Sequence, residues 1–324
     1  MQADYIETTK DLYKEAALSP EIGLCCTTNP IWQFPDLNIP KKMIDMNYGC
    51  GTTVNPRDLI NNPTVLYVGV GGGMELLQFA YFSRKNSGVI GIDIVDEMIE
   101  SANKNISEAE IQNKWFSKDF IDIKKGNALS LPIEDSSVDV AAQNCLFNIF
   151  KTKELKVALN EMHRVLKKNG KLVMSDPVCE QKINSTLKND NRLRAACLTG
   201  AIPINEYVNI ISDIGFGTIE IRAKRPYRVL NKNRYPTKEN IFIESIEVCA
   251  IKDPMPKDGP CVFTGRTAIY YGNKNYFDDG KGHVMLQNQP LSICDKTASN
   301  LTKLKKSDLF ISEPTFFYDG GGCC

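Results

Sequence analysis

The chain has 324 residues, 42% of them hydrophobic and 24% charged, with 39 Lys and Arg balancing 39 Asp and Glu. That composition supports a sizeable core, excludes wholesale disorder and lacks the basic excess that marks a polyanion-binding protein. Eleven cysteines stand against two histidines, and an odd count at this density does not read as a secreted disulfide framework.

The first twenty residues, MQADYIETTKDLYKEAALSP, contain no basic stretch leading into an apolar one. No apolar run approaches the roughly 18–20 residues of a membrane-spanning helix. A cytoplasmic protein with reduced thiols and no membrane partner is therefore expected. Residues 4–18 predict an amphipathic helix with Tyr5, Ile6, Leu12, Tyr13, Ala16 and Ala17 on one side. Residues 19–63 are irregular and hold Cys25, Cys26 and Cys50. From 64 the pattern alternates: an apolar run at 64–70, a helix at 74–84, a second apolar run at 88–94 and a helix at 96–106. Strands follow at 121–128 and 138–142, then a helix at 155–166 that KKNG (167–170) stops, and a strand at 171–175. Helical character continues to 201, and a further helix over 204–214 ends at Gly215. Strands are expected at 218–222 and 241–251. After a Pro-bearing linker at 252–260, strand-like pieces lie near 262–271, 283–286 and 309–317. Short apolar strands alternating with helices indicate a parallel sheet covered on both faces. Three units are expected: 1–60, an N-terminal helix and Cys-bearing segment; 61–251, the main α/β domain; and 252–324, a small module ending in Cys-Cys.

Gly69, Gly71 and Gly73 stand between the first apolar run and the first helix of that domain. Glycine there lets the chain turn sharply and lets a ligand approach the backbone. Asp93 follows 20 residues after Gly73, at the end of the second run, where a carboxylate can accept both ribose hydroxyls of a nucleoside. GNALSLPIEDSSVDV at 126–140 comes third. In this order the segments resemble class I S-adenosylmethionine-dependent methyltransferases, and LKKNGKLVMSD at 166–176 is similar to that family's approach to its fifth strand. The resemblance implies a Rossmann-like α/β fold with a seven-stranded sheet whose last strand is antiparallel. It also implies S-adenosyl-L-methionine as cofactor, held by Gly69, Gly71 and Gly73, with Asp93 on the ribose, Asn127 and Ala128 on the adenine side, and Asn144 nearby. A nicotinamide dehydrogenase would share the loop and the Asp, but not the layout of 126–176. One departure stands out: Tyr67 and Val68 precede the loop, where the family often has an acid.

The cysteines bear on the methyl acceptor. QNCLFNIF (143–150) puts Cys145 after the fourth strand, RAACLTGAIP (194–203) carries Cys197, and YGCG (48–51) carries Cys50. These three contexts resemble arsenite S-adenosylmethionine methyltransferases. The resemblance implies that trivalent arsenic, as arsenite or methylarsenite, is held by Cys145 and Cys197, with Cys50 as third thiol, and that a thiol reductant of the glutathione or thioredoxin type is consumed. The family's cysteine just after the glycine loop is missing; Leu76 or Leu77 stands in its place. The tail pair Cys323-Cys324 is a further candidate arsenic ligand, and Cys25-Cys26 a second adjacent pair. Cys261 and Cys294 with the tail pair are the raw material for a zinc site, without Cys-x-x-Cys spacing. Cys249 reads as core, Cys179 is unassigned, and His163 reads as a packing or surface residue. No basic patch is interleaved with aromatics, so a nucleic-acid partner is not expected. The alternatives are a methyltransferase for another soft or thiol acceptor, and a non-catalytic, thiol-based metalloid-binding or sensing protein.

Overall fold

Val65–Val68 is buried at every position, and its alternate side chains feed opposite cores. Val65 and Tyr67 belong to one apolar cluster, Leu66 and Val68 to another, so this strand lies in the middle of a sheet covered on both faces. The computed structural model describes residues 5–19, 24 and 32–316. Helix α1 (Tyr5–Leu18) and the short α2 (Lys41–Asp45) precede this strand, β1 (Val65–Val68). The chain continues through α3 (Met74–Ser83), β2 (Val89–Asp93), α4 (Asp96–Gln112), β3 (Ile121–Lys125), β4 (Val138–Asn144), α5 (Thr152–Val165) and β5 (Leu166–Val178). Next come α6 (Ser185–Lys188), α7 (Asn191–Ala195), α8 (Ile204–Ile214), β6 (Thr218–Leu230) and β7 (Ile241–Ile251).

The strand order is β3-β2-β1-β4-β5-β7-β6-β8, where β8 spans Cys261–Phe263. Strands β1 to β5 run parallel, and β7 is antiparallel to both β5 and β6. The seven strands expected are all present, but the sheet has eight. The addition is β8, which pairs in parallel with the start of β6, Thr218 opposite Cys261. An edge strand presents unpaired backbone groups, and the chain after the linker fills three positions of that edge. Helix α5 shows why it packs where it does: Leu155, Ala158, Leu159, Met162 and Val165 are buried at 3–4-residue spacing. α8 repeats the stripe with Ile204, Tyr207, Ile210 and Ile211. His163 lies edge-on to Phe216 at 4.9 Å, as a packing residue.

Three local expectations need correction. α5 ends at Val165, and KKNG lies inside β5; its turn signal is absorbed by Asn169 at φ 62° and a register shift opposite Val138–Val140. The helical stretch through 201 reduces to two short helices, because the Asp190 side chain accepts the Leu193 N–H and starts a new helix. β6 runs on to Leu230, well past 222.

Beyond β8, β9 (Thr267–Tyr270) sits between β12 (Pro290–Ser292) and β13 (Leu309–Ile311), while β10 (Tyr276–Asp278) and β11 (Val284–Leu286) form a hairpin. Helix α9 (Asp295–Lys303) covers them, and Ala268, Tyr270, Met285, Ile293, Ala298 and Leu301 form a separate small core. Among the described residues no helix is long and apolar enough to cross a membrane.

Asp58 pins the segment before β1 to the sheet. Its side chain is 1% exposed and receives both terminal nitrogens of Arg222 from β6 and Lys171 Nζ (2.9 Å) from β5. Burial alone would raise this carboxyl, but Arg222 and Lys171 outweigh it and hold it below its usual value. Removing one partner strands a buried charge, so Asp58→Ala is expected to cost about 3–5 kcal/mol by denaturant unfolding. A depressed carboxyl contributes stability above its unfolded value and loses it as pH falls through the folded one. Acid unfolding of the wild type should therefore contain a component that the variant lacks.

Candidate active site

The carboxyl ends of β1, β2 and β4 open into one cleft. Gly69, Gly71, Asp93, Asn127, Ala128 and Asn144 all line it, and so does Cys145. Gly73 does not; with φ 87° it caps the start of α3. Asp93 is fixed by the backbone, accepting N–H groups from Val70 in the glycine loop (2.9 Å) and from Val95 at the start of α4 (3.0 Å). Burial pushes its carboxyl up to about 6 against the pull of these donors. Helix α1 forms part of the wall, contributing Ile6, Thr9, Lys10 and Tyr13.

A buried acid does stand on this cleft, from a different element. Glu75, in the first turn of α3, lines the cleft and accepts the Tyr67 hydroxyl at 2.5 Å. It also accepts Thr53 N–H (2.9 Å), Thr52 Oγ1 (3.4 Å) and Asn144 Nδ2 (3.2 Å). Burial raises its carboxyl, with those donors opposing. Sequence reading passed over Glu75 because an acid beside Leu76 and Leu77 looks like an ordinary helix N-terminal residue. Tyr67 was its signal: a tyrosine inside a fully buried strand needs a partner for its hydroxyl.

The YGCG segment is clamped by Asn144, whose Oδ1 accepts Cys50 N–H (3.0 Å) and whose Nδ2 donates to the Gly51 carbonyl (2.9 Å). A Cβ on residue 49 would stand 2.5 Å from Asn144 Nδ2, so only glycine lets the amide in. Cys50 Sγ lies 3.3 Å from Ser175 Oγ on β5. Cys145 and Cys197 are both buried and both left-handed, at φ 61° and 59°. The two segments meet directly: Cys197 Sγ donates to the Cys145 carbonyl at 3.0 Å, and a Cβ on residue 200 would collide with the Asn148 carbonyl oxygen at 1.6 Å. Tyr227 Oη lies 3.8 Å from Cys145 Sγ, and Tyr13 Oη 3.9 Å from Cys197 Sγ. Beneath them Asp176 accepts Tyr207 Oη (2.7 Å), Asn148 Nδ2 (3.1 Å) and Gln143 Nε2, and burial pushes its carboxyl up to about 6.

Cys145 thus lines the cleft, whereas Cys50 and Cys197 do not; Cys50 follows the lining Gly49, and Cys197 bonds the Cys145 carbonyl. Among the described residues no group of three or more His, Cys, Asp or Glu side chains is arranged to hold a metal ion. Cys25, Cys26, Cys323 and Cys324 lie outside the described residues.

Strand order 3-2-1-4-5-7-6 with a glycine loop after β1 and an acid after β2 defines the class I methyltransferase fold. The chain belongs to the methyltransferase-domain family, whose model matches residues 60–234, more than half its length. Asp93 and Cys145 line the same cleft, and its residues suit S-adenosylmethionine, with Asp93 placed for a ribose. The chain is 27% identical over 180 residues to an arsenite methyltransferase of Halobacterium salinarum, covering 56% of this chain and 44% of the relative. It is 30% identical over 212 residues to an arsenite methyltransferase of Aquipseudomonas alcaligenes, covering 63% and 59%. The chain thus spans about half the length of these relatives. The crystal structure of an arsenic(III) S-adenosylmethionine methyltransferase from Chlamydomonas reinhardtii has the same fold, with a TM-score of 0.59 at 20% identity. That match covers 86% of this chain and 94% of the other.

Two outcomes follow. Affinity for S-adenosylmethionine, measured by calorimetry, should weaken as pH falls through about 6, where Asp93 takes up a proton and stops accepting. Asp93→Asn should abolish that pH dependence and weaken binding by roughly 1.5–3 kcal/mol at neutral pH. Separately, Glu75→Ala leaves Tyr67, Thr53 and Asn144 with buried unpaired donors and should destabilise the fold by about 2–3 kcal/mol in denaturant unfolding, Glu75→Gln by less.

Proposed function

We propose that this methyltransferase methylates trivalent arsenic, as arsenite or methylarsenite, held by cysteine sulfur at the carboxyl end of β4. The observation that carries the reading is the meeting of Cys145 and Cys197, from distant segments, with a cysteine side chain on the cofactor cleft. The names of the relatives, arsenite methyltransferases at 27–30% identity, support the same acceptor. Cys50, hung from Asn144 two residues from the lining Tyr48, is the third thiol of the proposal.

Bound S-adenosylmethionine supplies an electrophilic methyl group on a sulfonium sulfur. Gly69, Gly71 and the cleft floor hold the cofactor, with Asp93 on the ribose hydroxyls, Asn127 and Ala128 on the adenine side, and Asn144 beside them; Gly73 serves by starting α3. Thiolate-bound arsenic(III) is pyramidal and keeps a lone pair, so the acceptor has no proton to remove. Glu75 and Asp176 therefore act as scaffolds, each occupied by neighbours. Holding the acceptor in line is the protein's main contribution, worth on the order of 7–11 kcal/mol in favourable cases. Transfer uses the lone pair and leaves arsenic two electrons more oxidised. A thiol of the glutathione or thioredoxin type restores it, two thiols closing to one disulfide. Cys323 and Cys324 are proposed as a capture pair for scarce arsenite.

The test is methyl transfer to arsenite in excess thiol. Cys145→Ser and Cys197→Ser are each expected to lose at least about 100-fold in rate, equivalent to roughly 2.7 kcal/mol, with Cys50→Ser also impaired. Unmodified arsenite with the wild type, or full activity in both core variants, would sink the reading. Removing residues 320–324 should lower activity only at low arsenite.

A further inference from the structure

A second pocket, sharing no residue with the cofactor cleft, lies among the 52–57 segment and strands β5, β6 and β7, with Trp32 on its wall. Two donors that line it are buried without a partner, the Trp32 indole N–H and the hydroxyl of Thr53, a residue 3% exposed. A buried donor is normally paired, so these two mark where an acceptor from outside the chain fits. The other polar groups of the lining mostly donate as well. Asn55 Oδ1 already accepts Arg57 N–H (3.0 Å), which leaves its NH2 for a ligand. Arg57 is exposed, and its ion-pair contact is a long 3.9 Å, to a Glu220 that holds Arg222 Nε at 2.9 Å. The acid of the lining, Glu247, is engaged by Arg225 (2.7 Å) and by Thr52 N–H (2.8 Å). The pocket therefore offers donors to an anion.

Its buried end adjoins Cys50. Glu247 on β7 is the register partner of Ser175 on β5, and Ser175 Oγ lies 3.3 Å from Cys50 Sγ. A Cβ on residue 51 would stand 2.5 Å from Ser175 Oγ and 2.8 Å from Glu247 Oε1, so nothing bulkier than glycine fits there.

We propose that this pocket docks the reductant, and that the reductant is a small thiol carrying carboxylates. A carboxylate accepts from Trp32 and Thr53 and pairs with the Arg57 guanidinium, whose fork matches two oxygens. The apolar faces of Trp32 and Val173 cover the body of the molecule. Its thiol is then held on the side of the sheet where Cys50 lies. A folded protein reductant offers its cysteine from a surface and makes no use of donors recessed in a pocket. The inference rests on the reading that Cys50 handles arsenic, and its test separates the two.

The full chain, reduced, is titrated with S-methylglutathione, whose blocked sulfur cannot reduce. Binding is followed by calorimetry and by tryptophan fluorescence. Saturable binding with a fluorescence change is expected, and Trp32→Phe should lose the change, since Trp115 is the one other tryptophan in the chain. Arg57→Ala, and separately the dimethyl ester of the ligand, should each weaken binding about tenfold or more. No saturable binding, equal affinity for acid and ester, or wild-type affinity in Arg57→Ala would overturn the pocket. In methyl transfer to arsenite, the wild type should prefer glutathione to uncharged 2-mercaptoethanol, and Arg57→Ala should lose that preference; an undiminished preference would also overturn it. Methyl transfer without S-methylglutathione binding removes the pocket alone. Binding without methyl transfer to arsenite removes the arsenic reading alone.

Discussion

A carboxylate taken out of water has to find donors, and Glu75 finds four on three separate segments. Tyr67 brings β1, Thr52 and Thr53 bring the segment that follows Cys50, and Asn144 brings the end of β4. Each of these groups would be costly to leave buried and unpaired. Their mutual satisfaction therefore sets the position of the YGCG segment against the cleft. Asn144 then does for Cys50 what Glu75 does for Asn144, using both ends of its amide. The cysteine is placed through two relays of polar contacts, and neither depends on the chain's local propensity.

The other two thiols are placed by backbone shape. Cys145 and Cys197 both adopt the left-handed conformation that residues with a Cβ rarely take. Such strain persists only where the surroundings over-determine it. Here they do: Gln143 accepts the N–H groups of Leu146 and Phe147, Asp176 holds Gln143 and Asn148, and Tyr207 holds Asp176. Gly200 lets the second segment lie against the Asn148 carbonyl. Packing on this side is backbone against backbone, which is why small residues recur in the Cys197 segment.

The parallel core was legible because β1, β2 and β4 are buried runs flanked by glycine and by amphipathic helices, patterns that depend on nearby residues. Asp93 was legible for the same reason, since a strand end three residues before a helix start is a local fact. Glu75, Asp176 and Tyr207 were not, because their meaning lies in partners 8 to 69 residues away. The KKNG segment misled in the opposite sense. It carries a turn signal, and the four residues turn out to lie between the paired Leu166 and Lys171 inside a single strand.

The parallel strand β8 has a consequence for how the chain is made. Every strand that opens onto the cleft is complete by Asn144, whereas the strand that covers the start of β6 begins at Cys261. At a synthesis rate of about 5–20 residues per second, several seconds separate the two. The catalytic half can condense while Thr218–Glu220 is still waiting for its neighbour. Through that interval the nascent sheet carries an open backbone edge next to Ile219 and Ile221, where a second nascent chain could pair. Residues 261–263, three in all, retire that hazard once they emerge.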